Sequence, residues 1–155
     1  MNTVLINCIK SNNLLMFEYI LDKNYEFSLL SILRLCVELE KSSYLDLMLE
    51  KEIIDPDVVI KMCVYLSKLN LLQYYLSMYK ISDKTLEILA YNAINYSSDD
   101  VVNYMARFIS DYTKYAVSAY VAERYNVYNK LLDKKLVNKS QLKRLLSLDD
   151  YEQSD

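Results

Sequence analysis

One motif recurs along this chain: six residues in which a single polar position is set inside an apolar stripe. It reads Met16, Phe17, Glu18, Tyr19, Ile20, Leu21 at its first occurrence and Tyr44, Leu45, Asp46, Leu47, Met48, Leu49 at its second. Further copies stand at 71–76, 101–106 and 127–132. The third column of the motif (Glu18, Asp46, Gln73, Asn103, Asn129) is polar throughout, and its flanks are almost wholly apolar. Such a stripe at helical spacing predicts an amphipathic helix with one buried side. A small residue precedes each copy: Cys8, Cys36, Cys63, Ala93 and Ala119. The three cysteines are 28 and 27 residues apart, a period in the range of stacked repeat units.

Each small residue lies in a second apolar stretch, so every unit is expected to be a pair of helices. The first of the pair contains Leu5, Ile6, Cys8 and Ile9 in unit one, residues 29–39 in unit two and 58–66 in unit three. Start signals mark several of these helices. Asp55 before Pro56 reads as an N-cap followed by proline at the first helical position. Ser82 with Asp83 opens the fourth unit, and Ser110 with Asp111 opens the fifth. Ser97 and Ser98 precede Asp99 and Asp100, an acidic first turn that suits the helix dipole. Residues 138–140 lead into Leu142, Leu145 and Leu146, the expected first helix of an incomplete sixth unit. The expected organisation is one helical domain over 1–148 and an acidic, disordered tail over 149–155.

Composition narrows the chemistry. The 155 residues contain no His, Gly or Trp and a single Pro, Pro56. Without His, the commonest general base and the commonest metal ligand are missing. Without Gly, phosphate-cradling loops and tight hairpins lose their usual residue, which leaves helices joined by short polar connectors. The net charge is −3, and the basic residues are scattered except at Lys134, Lys135, Lys139, Lys143 and Arg144. That is not the basic stripe of a nucleic-acid binder. No apolar run approaches the ~20 residues of a membrane span, and the N-terminus has no long apolar signal core. The expectation is a cytoplasmic protein without nucleic-acid or membrane partners.

The pattern resembles the ankyrin repeat. That family places small residues on its first helix, a glycine turn, and a second helix ending in paired Val and Leu positions. Here Met16–Phe17, Tyr44–Leu45, Leu71–Leu72, Val101–Val102 and Val127–Tyr128 fill the first paired column. Ile20–Leu21, Met48–Leu49, Tyr75–Leu76, Met105–Ala106 and Leu131–Leu132 fill the second. The resemblance covers roughly residues 3–146. It departs from the family in two ways. The turn glycine is replaced by Asn12, Glu40, Ser67, Ser97 and Glu123, and a left-handed backbone costs energy at Glu. The stretch between one second helix and the next small residue is only 12 to 16 residues, so the family's projecting hairpins are expected to be cut to short loops. The resemblance thus implies an all-α solenoid of about five ankyrin-like helix–loop–helix repeats with a C-terminal capping helix. Divergent repeats of this kind are similar to poxviral and asfarviral ankyrin-type families, which implies an intracellular module that binds and antagonises a host factor, often in immune signalling.

Plain packing accounts for most of the residues that could carry chemistry. The cysteines lack a CxxC spacing and a His partner, and helices stacked at about 8–10 Å hold equivalent residues too far apart for a comfortable disulfide. They are expected to be small core residues. Tyr44, Tyr75 and Tyr128 fall at core positions, where a phenol buries its ring and satisfies its hydroxyl. Asp99–Asp100 and Asp149–Asp150 are adjacent and do not share a helix face. No catalytic, metal or cofactor residues are assigned. The ankyrin register places Asn7, Lys10, Leu35, Glu38, Met62, Tyr65, Asn92 and Asn95, followed by Ser118 and Val121, on the exposed concave side of the first helices. Its centre is apolar and its ends are polar, which is the make-up of a protein interface. A register shifted by one would instead put these residues in the core. Three alternatives remain at this point: a Bcl-2-like bundle that binds pro-apoptotic helices, a homo-oligomeric structural protein, and an enzyme, which a deep pocket with clustered perturbed carboxylates would favour.

Overall fold

A computed structural model describes residues 1–23, 25–133 and 137–152 of the chain, and the side chains of 148–152 fall outside the description. Among the described residues there are eleven α-helices, one short 3₁₀ turn and no strand. They fall into two compact units, Met1–Lys80 and Ile81–Asp155.

The first unit contains α1 (Asn2–Lys10), α2 (Leu14–Asp22), α3 (Leu29–Glu38), α4 (Ser42–Glu50), α5 (Pro56–Tyr65) and α6 (Leu69–Met78). Each odd-numbered helix packs on the helix that follows it, giving three neighbouring pairs. Helix α1 also packs on α3 and α3 on α5, while α2 packs on α4. The second unit contains α7 (Asp83–Tyr96), α8 (Asp99–Met105), a 3₁₀ turn (Ala106–Phe108), α9 (Tyr112–Val121), α10 (Tyr125–Asp133) and α11 (Lys139–Glu152). Here α7 pairs with α8 and α9 with α10; α7 packs on α9, α9 on α11 and α8 on α10. Residues 134–136, with two lysines of the expected basic cluster, and 153–155 of the expected tail lie outside the described residues.

The small-residue column is buried throughout: Cys8, Cys36, Cys63, Ala93 and Ala119 all lie in the core. A larger side chain at these positions would push apart helices that touch, which is why the column is small. The three thiols are free. Burial drives the thiols of Cys36 and Cys63 up to about 12 and raises that of Cys8 as well, so all three are protonated at neutral pH.

The second helix starts six positions after each small residue, and four of the five connections share one turn. Asn12, Glu40, Ser67 and Glu123 adopt left-handed backbone angles with φ of 56°, 53°, 58° and 57°. The next backbone N–H then returns to the carbonyl of the small residue: Asn13 to Cys8, Lys41 to Cys36, Lys68 to Cys63 and Arg124 to Ala119, each at 2.8 Å. This is the Schellman arrangement, which satisfies carbonyls left open at a helix end. The glutamates therefore take the strained conformation that glycine would take without strain. Ser97 does not; its φ is −100°.

All five start signals fall at the starts of helices. The Ser82 hydroxyl accepts from the Thr85 N–H at 3.2 Å, and the Asp111 carboxylate accepts from the N–H groups of Thr113 and Lys114 at 3.1 Å. The Asn138 side chain does the same for Ser140 and Gln141. Asp99 and Asp100 open α8 as expected. Asp55 occupies the cap position before Pro56, but its carboxylate makes no capping hydrogen bond. Proline at the first position supplies the helical φ by itself, and the N–H it lacks is one that no carbonyl within the helix would have met.

Candidate protein-binding face

Within each unit, buried tyrosines tie a pair to the one before it. Tyr44 packs edge-on against Phe17 at 5.0 Å, and its hydroxyl donates to the Cys8 carbonyl at 3.0 Å. The Tyr75 hydroxyl donates to Asp46 at 2.9 Å, and the Tyr115 hydroxyl to the carbonyls of Ala90 and Val102 at 3.2 and 3.3 Å. All three phenols are raised above their ordinary pKa, chiefly by burial. Tyr128, by contrast, is only half-buried.

Basic side chains add a second link at the turns. Lys41 donates to the Asn12 side chain, Lys68 pairs with Glu40 at 3.3 Å, and Arg124 donates to the Ser97 carbonyl at 2.6 Å while pairing with Asp99 at 2.7 Å. Each of these bases directly follows a left-handed residue and reaches back to the corresponding turn of the preceding pair. Sequence reasoning passed over this column, although its signal is visible: Lys41, Lys68 and Arg124 recur one residue after Glu40, Ser67 and Glu123.

With the cores and turns in place, the remaining faces of the odd-numbered helices are open. Asn7, Lys10, Glu38 and Tyr65 are exposed, and Leu35 and Met62 are half-buried; none of the six belongs to the core. These residues lie on α1, α3 and α5, whose serial packing puts them on adjoining stripes of the first unit. Asn92 and Asn95 are exposed on α7 of the second unit, and Val121 is exposed at the end of α9, with Ser118 half-buried.

On this side of the first unit lies a groove of about 290 Å³ between α3 and α5, lined by Leu30, Arg34, Val58, Lys61, Met62 and Tyr65. Leu30 is 64% exposed and Tyr65 56%, high values for large apolar or aromatic side chains. Arg34 holds Glu38 at 2.6 Å, and that carboxylate favours the charged guanidinium further. The register reasoning found Met62 and Tyr65 but missed Leu30, Arg34, Val58 and Lys61, which lie nearer the helix N-termini than the columns it followed. Arg34 and Lys61 do share a column, two residues before Cys36 and Cys63.

Among the described residues, no group of three or more His, Cys, Asp or Glu side chains is placed to hold a metal ion, and no helix is long and apolar enough to cross a membrane. The groups with raised pKa values that lie in the core are the thiols and phenols described above, and they are dispersed along the pairs. The Glu87 carboxylate is lowered because it accepts from both the N–H and the hydroxyl of Ser110, an exposed brace in the second unit.

The fold and its open face define a class: an all-helical protein of neighbouring helix pairs that offers an apolar groove with a polar rim. No protein-family model, curated protein or solved structure matches the chain.

Proposed function

We propose that the chain is a protein-binding module of divergent ankyrin-like helix pairs, stacked as a solenoid and working by recognition without catalysis. The observation that carries the reading is the α3–α5 groove, where Leu30, Val58 and Tyr65 are left open to solvent and Met62 is half-buried, beside Arg34 and Lys61. Exposed apolar side chains gathered in one groove with charges at its edge are the ingredients of an interface centre. The recurring turn, the recurring small residue and the serial packing of α1, α3 and α5 support the repeat reading over a bundle wrapped around a central hairpin. Within this reading Asn7, Lys10, Leu35, Glu38, Met62 and Tyr65 form one binding side, and Asn92 and Asn95 continue the same register on α7. The partner is a host intracellular protein and the module a viral-type antagonist; that last step rests on the resemblance of the repeat, not on the groove.

The test compares affinity purification from transfected cells with the wild-type chain and with the double variant Leu30→Asp, Tyr65→Asp as baits. Both positions are exposed, so the core is untouched. The expected result is a protein that the wild type retains, the variant loses, and purified components bind directly. Recovery of the same proteins by both baits would overturn the assignment of the groove.

A further inference from the structure

The α3–α5 groove differs in charge from the chain that builds it. The chain carries more acids than bases, 21 against 18. The residues lining the groove include two bases, Arg34 and Lys61, four apolar or aromatic side chains, and no acid. Asp57 stands one position before Val58 but is not part of the lining. The repeat places the two bases together. The position two residues before the small residue holds Ile6, Arg34, Lys61, Tyr91 and Val117. A cation therefore stands there only in α3 and α5, which pack on each other.

Both cations are open to a partner. Arg34 and Lys61 are exposed. The bond from Arg34 to Glu38 uses Nε, at 2.6 Å, and a guanidinium carries four further N–H donors. Glu38 thus orients the fork without using it up. The described ion pairs do not include Lys61. Apolar surface adjoins each cation on its own helix. Leu30 precedes Arg34 by four residues, and Val58 and Tyr65 stand three before and four after Lys61, the spacings that share a helix face.

We propose, on the reading of the groove as the binding site, that it selects a short acidic segment of a partner protein. Such a segment seats apolar side chains between α3 and α5 and sets Asp or Glu carboxylates against Arg34 and Lys61. The apolar contacts supply area. The charges supply selection, because a basic segment would bring like charges together. At about 290 Å³ the groove matches the smaller clefts that hold one compact ligand, so it takes a few side chains and not a domain surface. Nucleic acid is also acidic, but it is held by a run of cations along its backbone. The groove offers two, beside apolar walls that phosphates would leave unfilled.

Selection from a display library of short random peptides, with the purified full chain as target, tests this. Peptides enriched on the wild type should combine apolar residues with Asp or Glu and be poor in Lys and Arg. Synthetic copies should bind more weakly as salt rises. The variant Arg34→Gln, Lys61→Glu should raise their dissociation constant at least about tenfold, and Lys61→Arg should bind them as the wild type does. The uncharged pair Leu30→Ser, Tyr65→Ser should lose them through the apolar contact alone. All four positions are exposed, and circular dichroism should show unchanged helix content in each variant. Peptides that need Leu30 and Tyr65 but carry no acidic bias, or that ignore the change of charge at 34 and 61, would overturn the acidic partner and leave the groove's role in place. Peptides indifferent to Leu30 and Tyr65, or no enrichment at all, would overturn both. Displacement of the peptides by a single-stranded oligonucleotide would assign the cations to nucleic acid and overturn the proposal as well.

Discussion

The α3–α4 pair of the first unit and the α7–α8 pair of the second share one spacing and solve it in two ways. Six positions lead from Cys36 to the start of α4, and six from Ala93 to the start of α8. In the first case Glu40 goes left-handed and Lys41 returns its N–H to the Cys36 carbonyl. In the second, Ser97 stays at a φ of −100°, and side chains from the next pair take part: Tyr115 reaches the carbonyls of Ala90 and Val102, and Arg124 reaches the Ser97 carbonyl and Asp99. The difference teaches that helix spacing is the shared constraint. The local geometry of the turn differs, with a left-handed residue and a backbone bond to the small residue in one pair and Ser97 at negative φ in the other, while a base from the following pair, Lys68 or Arg124, reaches back to each.

The contrast is broken most forcefully at Tyr115, which is fully buried and bonds both helices of the α7–α8 pair. Tyr115→Ala removes a large core ring and leaves a cavity, and should cost about 4 kcal/mol in chemical denaturation. Tyr115→Phe keeps the ring and gives up the two hydrogen bonds, so it should cost about 1 kcal/mol. Equal losses for the two variants would mean that the hydroxyl, not the packing, holds α9 to the pair before it.

Arg124 gives the next effect in size. Its guanidinium is largely shielded and bonds both a carbonyl and a carboxylate, so Arg124→Ala should cost about 2 to 3 kcal/mol. Its counterpart in the first unit, Lys68, pairs with the exposed Glu40, and Lys68→Ala should cost less than about 1 kcal/mol. If the two losses are equal, the α7–α8 turn does not depend on the later pair as described. The same sites show what was legible in advance. The helices, their pairing and the burial of the cysteines followed from periodicity, because side-chain spacing on a helix is a local property. The exposure of Glu38 and Tyr65 followed for the same reason, while Leu35 and Met62 are half-buried. The link from Arg124 to Ser97 and the α3–α5 groove arise from residues 27 positions apart that meet only after folding. The strain at Glu40 and Glu123 was visible as a conflict, but not its outcome: only tertiary contacts decide whether a glutamate accepts a left-handed backbone.

Alkaline titration separates the units by their small-residue columns, which are Cys in the first and Ala in the second. The thiols of Cys36 and Cys63 move from 9.0 up to about 12 on burial, so the folded chain keeps protons that the unfolded chain releases. Their contribution is intact below pH 9 and is lost as pH rises toward 12. Between pH 9 and 10, before most phenols of the unfolded chain ionise, two such thiols should cost about 2 kcal/mol. Cys36→Ala, Cys63→Ala should flatten that slope, at the expense of some packing. An unchanged slope would place the alkaline sensitivity elsewhere.

The smallest effects make the sharpest distinction, because they differ in sign. Replacing Glu40 or Glu123 by Gly relieves the clash between Cβ and backbone at positive φ, worth about 1 kcal/mol. Glycine gives part of this back through the greater freedom of the unfolded chain, and Glu40→Gly also loses the exposed pairing with Lys68. The net expectation is a gain of about 0.5 kcal/mol, larger at Glu123 than at Glu40 because the described ion pairs do not include Glu123. At Ser97 the backbone is already in a region open to any residue, so glycine brings only its entropy cost, and the buried side chain is lost as well. Ser97→Gly should therefore destabilise by about 0.5 to 1 kcal/mol. Urea denaturation of the three single variants measures the signs directly. A gain at Ser97 matching those at Glu40 and Glu123 would show that all five turns have the same strained geometry, and the distinction between the two kinds of pair would disappear.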